Sequence, residues 1–480
     1  MTMDSTTEWI VFVPDVEASL ETRMQVREIH IQEMMKHIES GLFQMGGATL
    51  NGQDIAGSAI IARAKTTQEI MDVLSQDVYA RSGVWDLSRV QMIPHIKKYI
   101  KSGLPPTSAV QAPAHKAQPT IMKSTAIVTR NRRLEVEELI LPPLEEHQVY
   151  VKVQVAAFNP TDRLAYDLWA FGDGAVLGCD FAGQVFRTHP SATRYKIGDT
   201  IAGFVWGDRY FLDLISLTQQ SRSYTIADER LSFKIPSSIT LSESSSVPLA
   251  ATTAWLALFS DDCLGFSRGS SATKRSVLIW GGSSGVGYYA IQLAKLHGIE
   301  VATTCSPHSF AKVEQTGADH IFDYNDPEVI SKIQAALPDV QHVFDTIGNE
   351  KSSTTSAQAI TKPSGVLCTV RPGKTNTEGV PSHIKVTDVF VFTAFPTEHT
   401  YRGKAHWPLN IPNHELSVEL HAQLESLLQD GLLRPLPIKS AGKLSPNGIE
   451  EAMLLNRQGK VSGEKLVFEG FPDDAEGAPR

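Results

Sequence analysis

A chain of 480 residues with 42% hydrophobic and 20% charged side chains has the make-up of a folded protein with apolar material for two or three cores. Its formal net charge of -9, with no block of Lys or Arg, argues against a nucleic acid or an acidic membrane as the main partner. Cys179, Cys263, Cys305 and Cys368 are scattered and form no Cys-x-x-Cys pair, so reduced thiols are expected rather than disulfides or a cysteine metal cluster.

The first residues, MTMDSTTEWIVFVPD, have neither the basic start nor the apolar run of a signal peptide. No stretch is long and apolar enough to span a bilayer, and a cytoplasmic protein is expected. WIVFVPDV (9–16) reads as a strand and LETRMQVREIHIQEMMKHIESG (20–41) as an amphipathic helix closed by Gly41. GSAIIARA (57–64) is a second strand, TTQEIMDVLSQD (66–77) a second helix, and VWDLSRVQMIPH (84–95) supplies a final strand. Strand, helix, strand, helix, strand in residues 1–100 predicts an α+β domain with a ferredoxin-like sheet. KSGLPPTSAVQAPAHKAQPTIM (101–122) is rich in Pro, Ala and Ser, has no period, and is read as a linker. Short β-rich pieces follow, TAIVTR, LEVEELILP, VYVKVQVAAFN and FAGQVFRT, which predict a twisted β-barrel-like domain. From about residue 250, apolar strands alternate with helices, the mark of a parallel sheet with crossover helices.

SVLIWGGSSGVGYYAIQLAKLHG (276–298) carries the clearest chemistry. An all-apolar strand runs into a turn with Gly282, Gly285 and Gly287, and then into a helix with apolar residues at helical spacing. Glycines let the backbone approach a pyrophosphate, and the unpaired N–H groups of the helix start favour its charge. In the G-x-G-x-x-G pattern the middle glycine is replaced by Ser284. At the end of the next strand an NAD site usually presents Asp or Glu to the ribose hydroxyls. Here CSPHSFAK offers Ser306, His308, Ser309 and Lys312 and no carboxylate, which suits the 2′-phosphate of NADP. The competing reading of these residues is a polar loop and helix cap.

With FNPTD (158–162), LGCDFAGQV (177–185), VPLAATTAW (247–255), IWGGSSGVG (279–287), CSPHSF (305–310), GADHIFDY (317–324) and VSGEKLV (461–467) in order, residues 123–470 resemble the medium-chain dehydrogenase/reductase superfamily. The likeness is to its quinone-oxidoreductase-like branch and to the ToxD-like trans-acting enoyl reductases. It implies a GroES-like β-barrel catalytic domain (123–247 and 432–472) interrupted by a doubly wound α/β Rossmann domain (248–431), with NADPH in the cleft between them. By this resemblance Gly282, Ser283, Ser284, Gly285, Val286 and Gly287 cradle the pyrophosphate. Ser306, Pro307, His308, Ser309, Lys312 and Tyr324 surround the 2′-phosphate. Thr253, Leu367 and Cys368 lie near the nicotinamide, Asn159 and Asp162 line the catalytic side, and Val461 and Ser462 close the cleft. Two departures stand out. Glu314 and Leu164 occupy positions where members of the group often carry Lys.

Zinc-dependent members place a Cys at the position of Asn159 and a His-Glu pair at the positions of Cys179 and Asp180, so no metal is expected. A catalytic zinc needs about three protein ligands and an open position. Without a Lewis acid, reduction of a C=C bond conjugated to a carbonyl is the expected chemistry, with donors near Thr252 and Thr253 for the enolate oxygen. Tyr166 is the candidate proton donor, against an equal reading as a packing tyrosine. The apolar run KVTDVFVFTAF (385–395) points to an acyl or polyketide chain, and the resemblance to trans-acting enoyl reductases implies that it is free or carried on a synthase, within secondary metabolism. The competing readings are an aldehyde or ketone reductase of the same fold and a nucleotide-binding accessory subunit without turnover.

WIVFVPDVEASLETRMQVREIH, GLFQMGGATL, GSAIIARA and QDVYARSGVWD give residues 8–96 a resemblance to the YCII-related domain. That family implies a dimeric ferredoxin-like fold and a His-Asp pair. His30 fits the histidine, and Asp15 or Asp77 the carboxylate. A His polarised by Asp acts as a general base. The alternative is a histidine at a dimer seam in an assembly module, through which the chain forms a homo-oligomer.

Overall fold

In the computed structural model, which describes residues 7–51, 54–95, 123–206, 223–269, 274–401 and 405–470, chain contacts separate one unit ending at Gln118 from another starting at Pro119. The linker expected at 101–122 lies outside the described residues.

The N-terminal unit is a four-stranded antiparallel sheet in the order Phe43–Asn51, Asp54–Ala64, Thr7–Pro14, Gln91–His95. Period-two alternation places Val11, Val13, Ile60 and Ala62 on one face. There they share a core with Met34 of the helix Leu20–Glu39 and with Ile70 and Leu74 of the helix Thr67–Gln76. Two details differ from the sequence expectation. The strand Phe43–Asn51 was not expected, because its Gly46 and Gly47 depress strand propensity and its two register shifts blur alternation. The expected strand at 84–95 shortens to Gln91–His95. Before it, Asp77 caps the helical turn Val78–Arg81 by accepting from the Tyr79 amide, and Asp86 caps Leu87–Arg89 through the Ser88 amide.

Among the described residues the second unit holds two large sheets and two two-stranded hairpins, one of them His399–Tyr401 with Ala405–Trp407. The first sheet has the order Ser232–Lys234, Thr200–Phe204, Asp180–Thr188, Gln148–Ala157, Lys465–Glu469, Ile438–Ser440, with Tyr224–Asp228 also paired to Gln148–Ala157. Its last two strands come from near the far end of the given sequence, so the segment carrying the other large sheet is inserted between them and the rest. A separate hairpin, Lys123–Arg130 with Arg133–Ile140, turns through Asn131 and Arg132 at positive φ, the backbone twist that a two-residue hairpin loop needs.

The second sheet is wholly parallel, in the order His320–Asp323, Glu300–Cys305, Ser276–Trp280, His342–Asp345, Val366–Thr369, Lys385–Asp388. Val277, Leu278 and Ile279 are fully buried, as expected for a strand covered on both faces. The chain winds outward in both directions from Ser276–Trp280. The crevice beyond the carboxyl ends of that strand and of His342–Asp345 is therefore the topological switch point, where open α/β sheets bind ligands. The expected α/β class is thus realised, with a doubly wound parallel sheet, a largely antiparallel β domain and an α+β N-terminal unit. No helix among the described residues is long and apolar enough to cross a membrane.

Candidate functional site

The switch point opens on the turn between the strand Ser276–Trp280 and the helix Gly285–Leu296. Ser284 caps that helix, its Oγ accepting from the Gly287 amide at 2.9 Å and donating to Thr346 Oγ1 at 2.8 Å. The serine in place of the middle glycine therefore fixes the helix start on which an anion would rest. Sterics say which glycines are obligatory. A Cβ on Gly282 would lie 2.2 Å from Thr303 Oγ1, and one on Gly287 2.3 Å from the Gly281 carbonyl oxygen. At Gly285 the nearest atom is Leu436 Cδ2 at 3.7 Å, an ordinary contact. Gly281 is outside the expected set, yet its φ of 93° and a Cβ position 2.6 Å from Ile347 Cδ1 make it a required glycine too. The Gly-Gly pair directly after the strand was its signal.

Ser306, Pro307, His308 and Ser309 follow the strand Glu300–Cys305. Ser306 Oγ and His308 Nε2 lie 3.2 Å apart, while Ser309 is buried. Tyr324 is exposed at the end of the neighbouring strand. The register pairs Cys305 with Asp323, whose charge and the burial around the thiol push Cys305 up to about 11, burial being the larger cause. A carboxylate thus stands beside this strand end through strand pairing, although none follows it in sequence. The Lys312 ammonium donates to the Gly463 carbonyl oxygen. Val461 is half-buried and Ser462 exposed in the same closing tract.

Leu367 and Cys368 are buried in the strand Val366–Thr369, and burial drives the Cys368 thiol well up, with Cys263 beside it. Thr253 and Thr252 sit on the helix Pro248–Phe259, their hydroxyls donating at 2.7 Å to the carbonyls of Leu249 and Pro248. Thr252 also meets His421 Nε2 at 3.0 Å, which turns it toward the helix Ile411–Gln429. The Tyr166 hydroxyl donates to the Arg132 carbonyl at 2.8 Å, and its ring packs on Trp169. Partial burial, then the Glu450 charge, raises its pKa.

In the N-terminal unit Asp77, and not Asp15, partners His30, with Nδ1 at 2.7 Å from Oδ1. A carboxylate only accepts, so Nδ1 carries the hydrogen of this bond. The imidazole stacks on Tyr79 with ring centroids 3.8 Å apart and meets the edge of Trp85 at 5.1 Å. Asp15 pairs instead with Arg23, at 2.6 Å, and Arg23 reaches Ser58.

The densest polar group is buried in the β domain. Asn159 and Asp162 belong to a reciprocal cap at the start of the helix Pro160–Asp167, the Asn159 amide donating to Asp162 Oδ2 at 2.7 Å. Asn159 Nδ2 donates to Asp180 Oδ2 at 2.8 Å, the Leu249 amide donates to Asp180 Oδ1 at 2.8 Å, and Cys179 Sγ lies 3.7 Å from Asp162 Oδ1. Lys465 completes the group, donating to Asn159 Oδ1 and, at 3.0 Å, to Asp180 Oδ2. The positions that hold zinc in zinc-dependent dehydrogenases therefore carry an amide, a thiol and a carboxylate already joined to an ammonium. A dication does not fit there, because it would have to share its oxygen donors with a positive charge 3.0 Å from one of them. Among the described residues no set of three or more His, Cys, Asp or Glu side chains is arranged to hold a metal. Lys465 was absent from the expected site, since it lies 285 residues from its partner Asp180.

Burial raises the Asp162 pKa to about 7, against the lowering pull of the Asn159 amide and Lys465. A folded-state value above the unfolded one contributes stability below the unfolded pKa that is lost as pH rises through the folded pKa. Asp162→Asn keeps the acceptor and removes the titration. Between pH 5 and 8 the natural chain should lose about 3 kcal/mol more unfolding free energy than this variant. Denaturant titrations at the two pH values check this, and parallel pH slopes would dismiss Asp162 as the source.

The alcohol dehydrogenase GroES-like domain matches residues 145–216, the zinc-binding dehydrogenase domain residues 285–404, and the YCII-related domain residues 7–93. A trans-enoyl reductase of Fusarium heterosporum is 32% identical over 344 residues, covering 70% of this chain and 95% of that protein. Another, of Alternaria alternata, is 29% identical over 355 residues, covering 72% and 99%. The crystal structure of the quinone oxidoreductase from Coxiella burnetii shares the fold, with a TM-score of 0.53 at 22% identity over 72% of this chain and 99% of that one. The chain belongs to the medium-chain dehydrogenase/reductase superfamily, with trans-enoyl reductases among its relatives, and carries a YCII-related domain in its N-terminal unit.

Proposed function

We propose that the protein is an NADPH-dependent reductase of C=C bonds conjugated to a carbonyl, acting on an acyl or polyketide-type chain in secondary metabolism without a catalytic zinc. The kinship with trans-enoyl reductases along nearly their whole length is the observation that carries this reading. The family implies a nicotinamide cofactor, and bound NADPH supplies the hydride, which goes to the β-carbon of the substrate. The residues present fit such a cofactor. Three positions, Gly281, Gly282 and Gly287, have no room for a Cβ beside the helix start, and the Ser284 cap holds that start rigid.

The chain's own groups then have defined tasks. Within the turn from Gly282 to Gly287 the N–H groups of Ser283, Gly285 and Val286 receive the pyrophosphate, while those of Gly282, Ser284 and Gly287 hold the turn itself by donating to Thr304, Gly281 and Ser284 Oγ. Ser306, Pro307, His308 and Ser309, with Tyr324, take the 2′-phosphate. Thr253, Leu367 and Cys368 bound the nicotinamide side, and Val461 and Ser462 close over it. Asn159 and Asp162 serve from within the buried group and fix the cleft wall. The Lys465 ammonium and Asp180 carboxylate already neutralise each other there, which supports chemistry that needs no Lewis acid. Because the Thr252 and Thr253 hydroxyls both donate to backbone carbonyls, backbone N–H groups are the better enolate donors. Division of labour follows the domain plan, with catalytic segments at 123–247 and 432–472 and the nucleotide segment at 248–431. The YCII-related unit brings a second site built on His30 and Asp77, and an assembly face that makes the chain a homo-oligomer.

NADPH oxidation with α,β-unsaturated thioesters, quinones and simple aldehydes, run beside NADH and beside a chelator, tests the reading. Turnover of the C=C substrates with NADPH preferred and chelator without effect is expected. Preference for NADH would hand the ribose to Asp323, and loss of activity on chelation would refute the zinc-free reading. In the same assay Tyr166→Phe should cut turnover at least tenfold with NADPH binding intact if its hydroxyl supplies the α-proton, and unchanged turnover removes it. His30→Ala should leave the rate within twofold, as expected of a separate site.

A further inference from the structure

The nucleotide turn and the buried charge group are joined by three consecutive residues near the end of the chain. The Gly463 amide donates to the Ser283 carbonyl oxygen at 3.1 Å, so the closing tract is pinned directly to the pyrophosphate turn. The Gly463 carbonyl oxygen accepts from the Lys312 ammonium, which belongs to the helix Phe310–Glu314 just after the Ser306–Ser309 loop. Two residues on, Lys465 reaches Asn159 and Asp180 in the β domain. One tract therefore touches the turn that would hold the pyrophosphate, the helix after the strand that would hold the ribose, and the group that lines the catalytic wall.

Gly463 is suited to this place by its lack of a side chain. Its φ is 64°, and a Cβ there would lie 2.9 Å from Lys312 Nζ and 3.3 Å from Lys312 Cδ. Its residue is buried, so its carbonyl must find a donor, and a charged donor makes the stronger hydrogen bond.

Resting on the nucleotide-binding reading above, we propose that Lys312 is a positioning residue: it clamps the Gly463–Lys465 tract against the Ser283 turn and so sets the spacing between the dinucleotide site and the Asn159–Asp180–Lys465 group. It acts through Gly463 and makes no contact with the 2′-phosphate. Its effect is therefore the same for NADPH and NADH, which share the pyrophosphate and differ only in that phosphate. The burden of telling the two nucleotides apart falls on the Ser306–Ser309 loop and Tyr324.

Equilibrium binding of NADPH and of NADH to the full chain decides the matter, with Lys312→Met and Lys312→Arg beside the natural protein. Lys312→Met should weaken both nucleotides by a similar factor, about tenfold for one charge-assisted hydrogen bond, and Lys312→Arg should restore most of it. Hydrogen exchange at the Gly463 amide should quicken in Lys312→Met at an unchanged melting temperature, a local loosening that general destabilisation would not produce. Loss confined to NADPH would overturn the proposal in favour of a phosphate contact. Unchanged binding of both nucleotides, or unchanged exchange at Gly463, would also overturn it while leaving the reductase reading intact. Failure of the natural protein to bind either nucleotide would remove that reading and this proposal together.

Discussion

A fully buried carboxylate has to be neutralised and hydrogen-bonded, and Asp180 meets that demand with groups from three distant parts of the chain. The Leu249 amide comes from the first turn of the helix Pro248–Phe259, the Asn159 side chain from the cap of the helix Pro160–Asp167, and the ammonium from Lys465 in the closing strand. Each partner is bound by this requirement as much as by apolar packing. Removing one partner of a buried pair costs about 3–5 kcal/mol, because a charge is left without compensation. The registration of the closing strand against the β domain, and the entry of the helix that leads to the parallel sheet, therefore depend on this one group.

The nucleotide end is governed by a different constraint, the approach of backbone to backbone. Gly281, Gly282 and Gly287 let the strand end, the turn and the helix start come together at distances that no Cβ permits. Ser284 then closes the helix start with its side chain and ties it to Thr346 on the far side of the switch point. Small size at the glycines and a hydroxyl at the cap are two halves of one device, a turn whose own N–H groups at Gly281, Gly282, Ser284 and Gly287 are spent on holding its shape. The Gly463–Lys465 tract joins this device to the Asp180 group through one short piece of backbone.

The N-terminal unit follows the same logic on a smaller scale. His30 is held by Asp77 on one side and by the Tyr79 ring on its face, while Asp77 also caps the helical turn that carries Tyr79. One carboxylate thus orients an imidazole and the aromatic ring that supports it. Asp15, as close to a polar partner as Asp77, is taken by Arg23, which separates two carboxylates that look equivalent along the sequence.

What could be read from the sequence was whatever depends on neighbours along the chain. The alternation in WIVFVP, the apolar strand before GGSSGVG, the helical spacing after it and the order of the family motifs all gave elements and fold class without coordinates. Local signals failed where they were weak or misleading, as in the strand Phe43–Asn51, diluted by Gly46 and Gly47, and at residues 84–95, where the Asp86 cap and its one-turn helix delay the strand to Gln91. Partnerships across the chain were decided only by the tertiary structure. Asp77 over Asp15 for His30, Asp323 beside Cys305, Lys312 on Gly463 and Lys465 between Asn159 and Asp180 join residues that are tens to hundreds apart. The reason is physical: a backbone preference is set by a residue and its near neighbours, whereas a buried charge is satisfied by whichever group the fold carries to within about 3 Å of it.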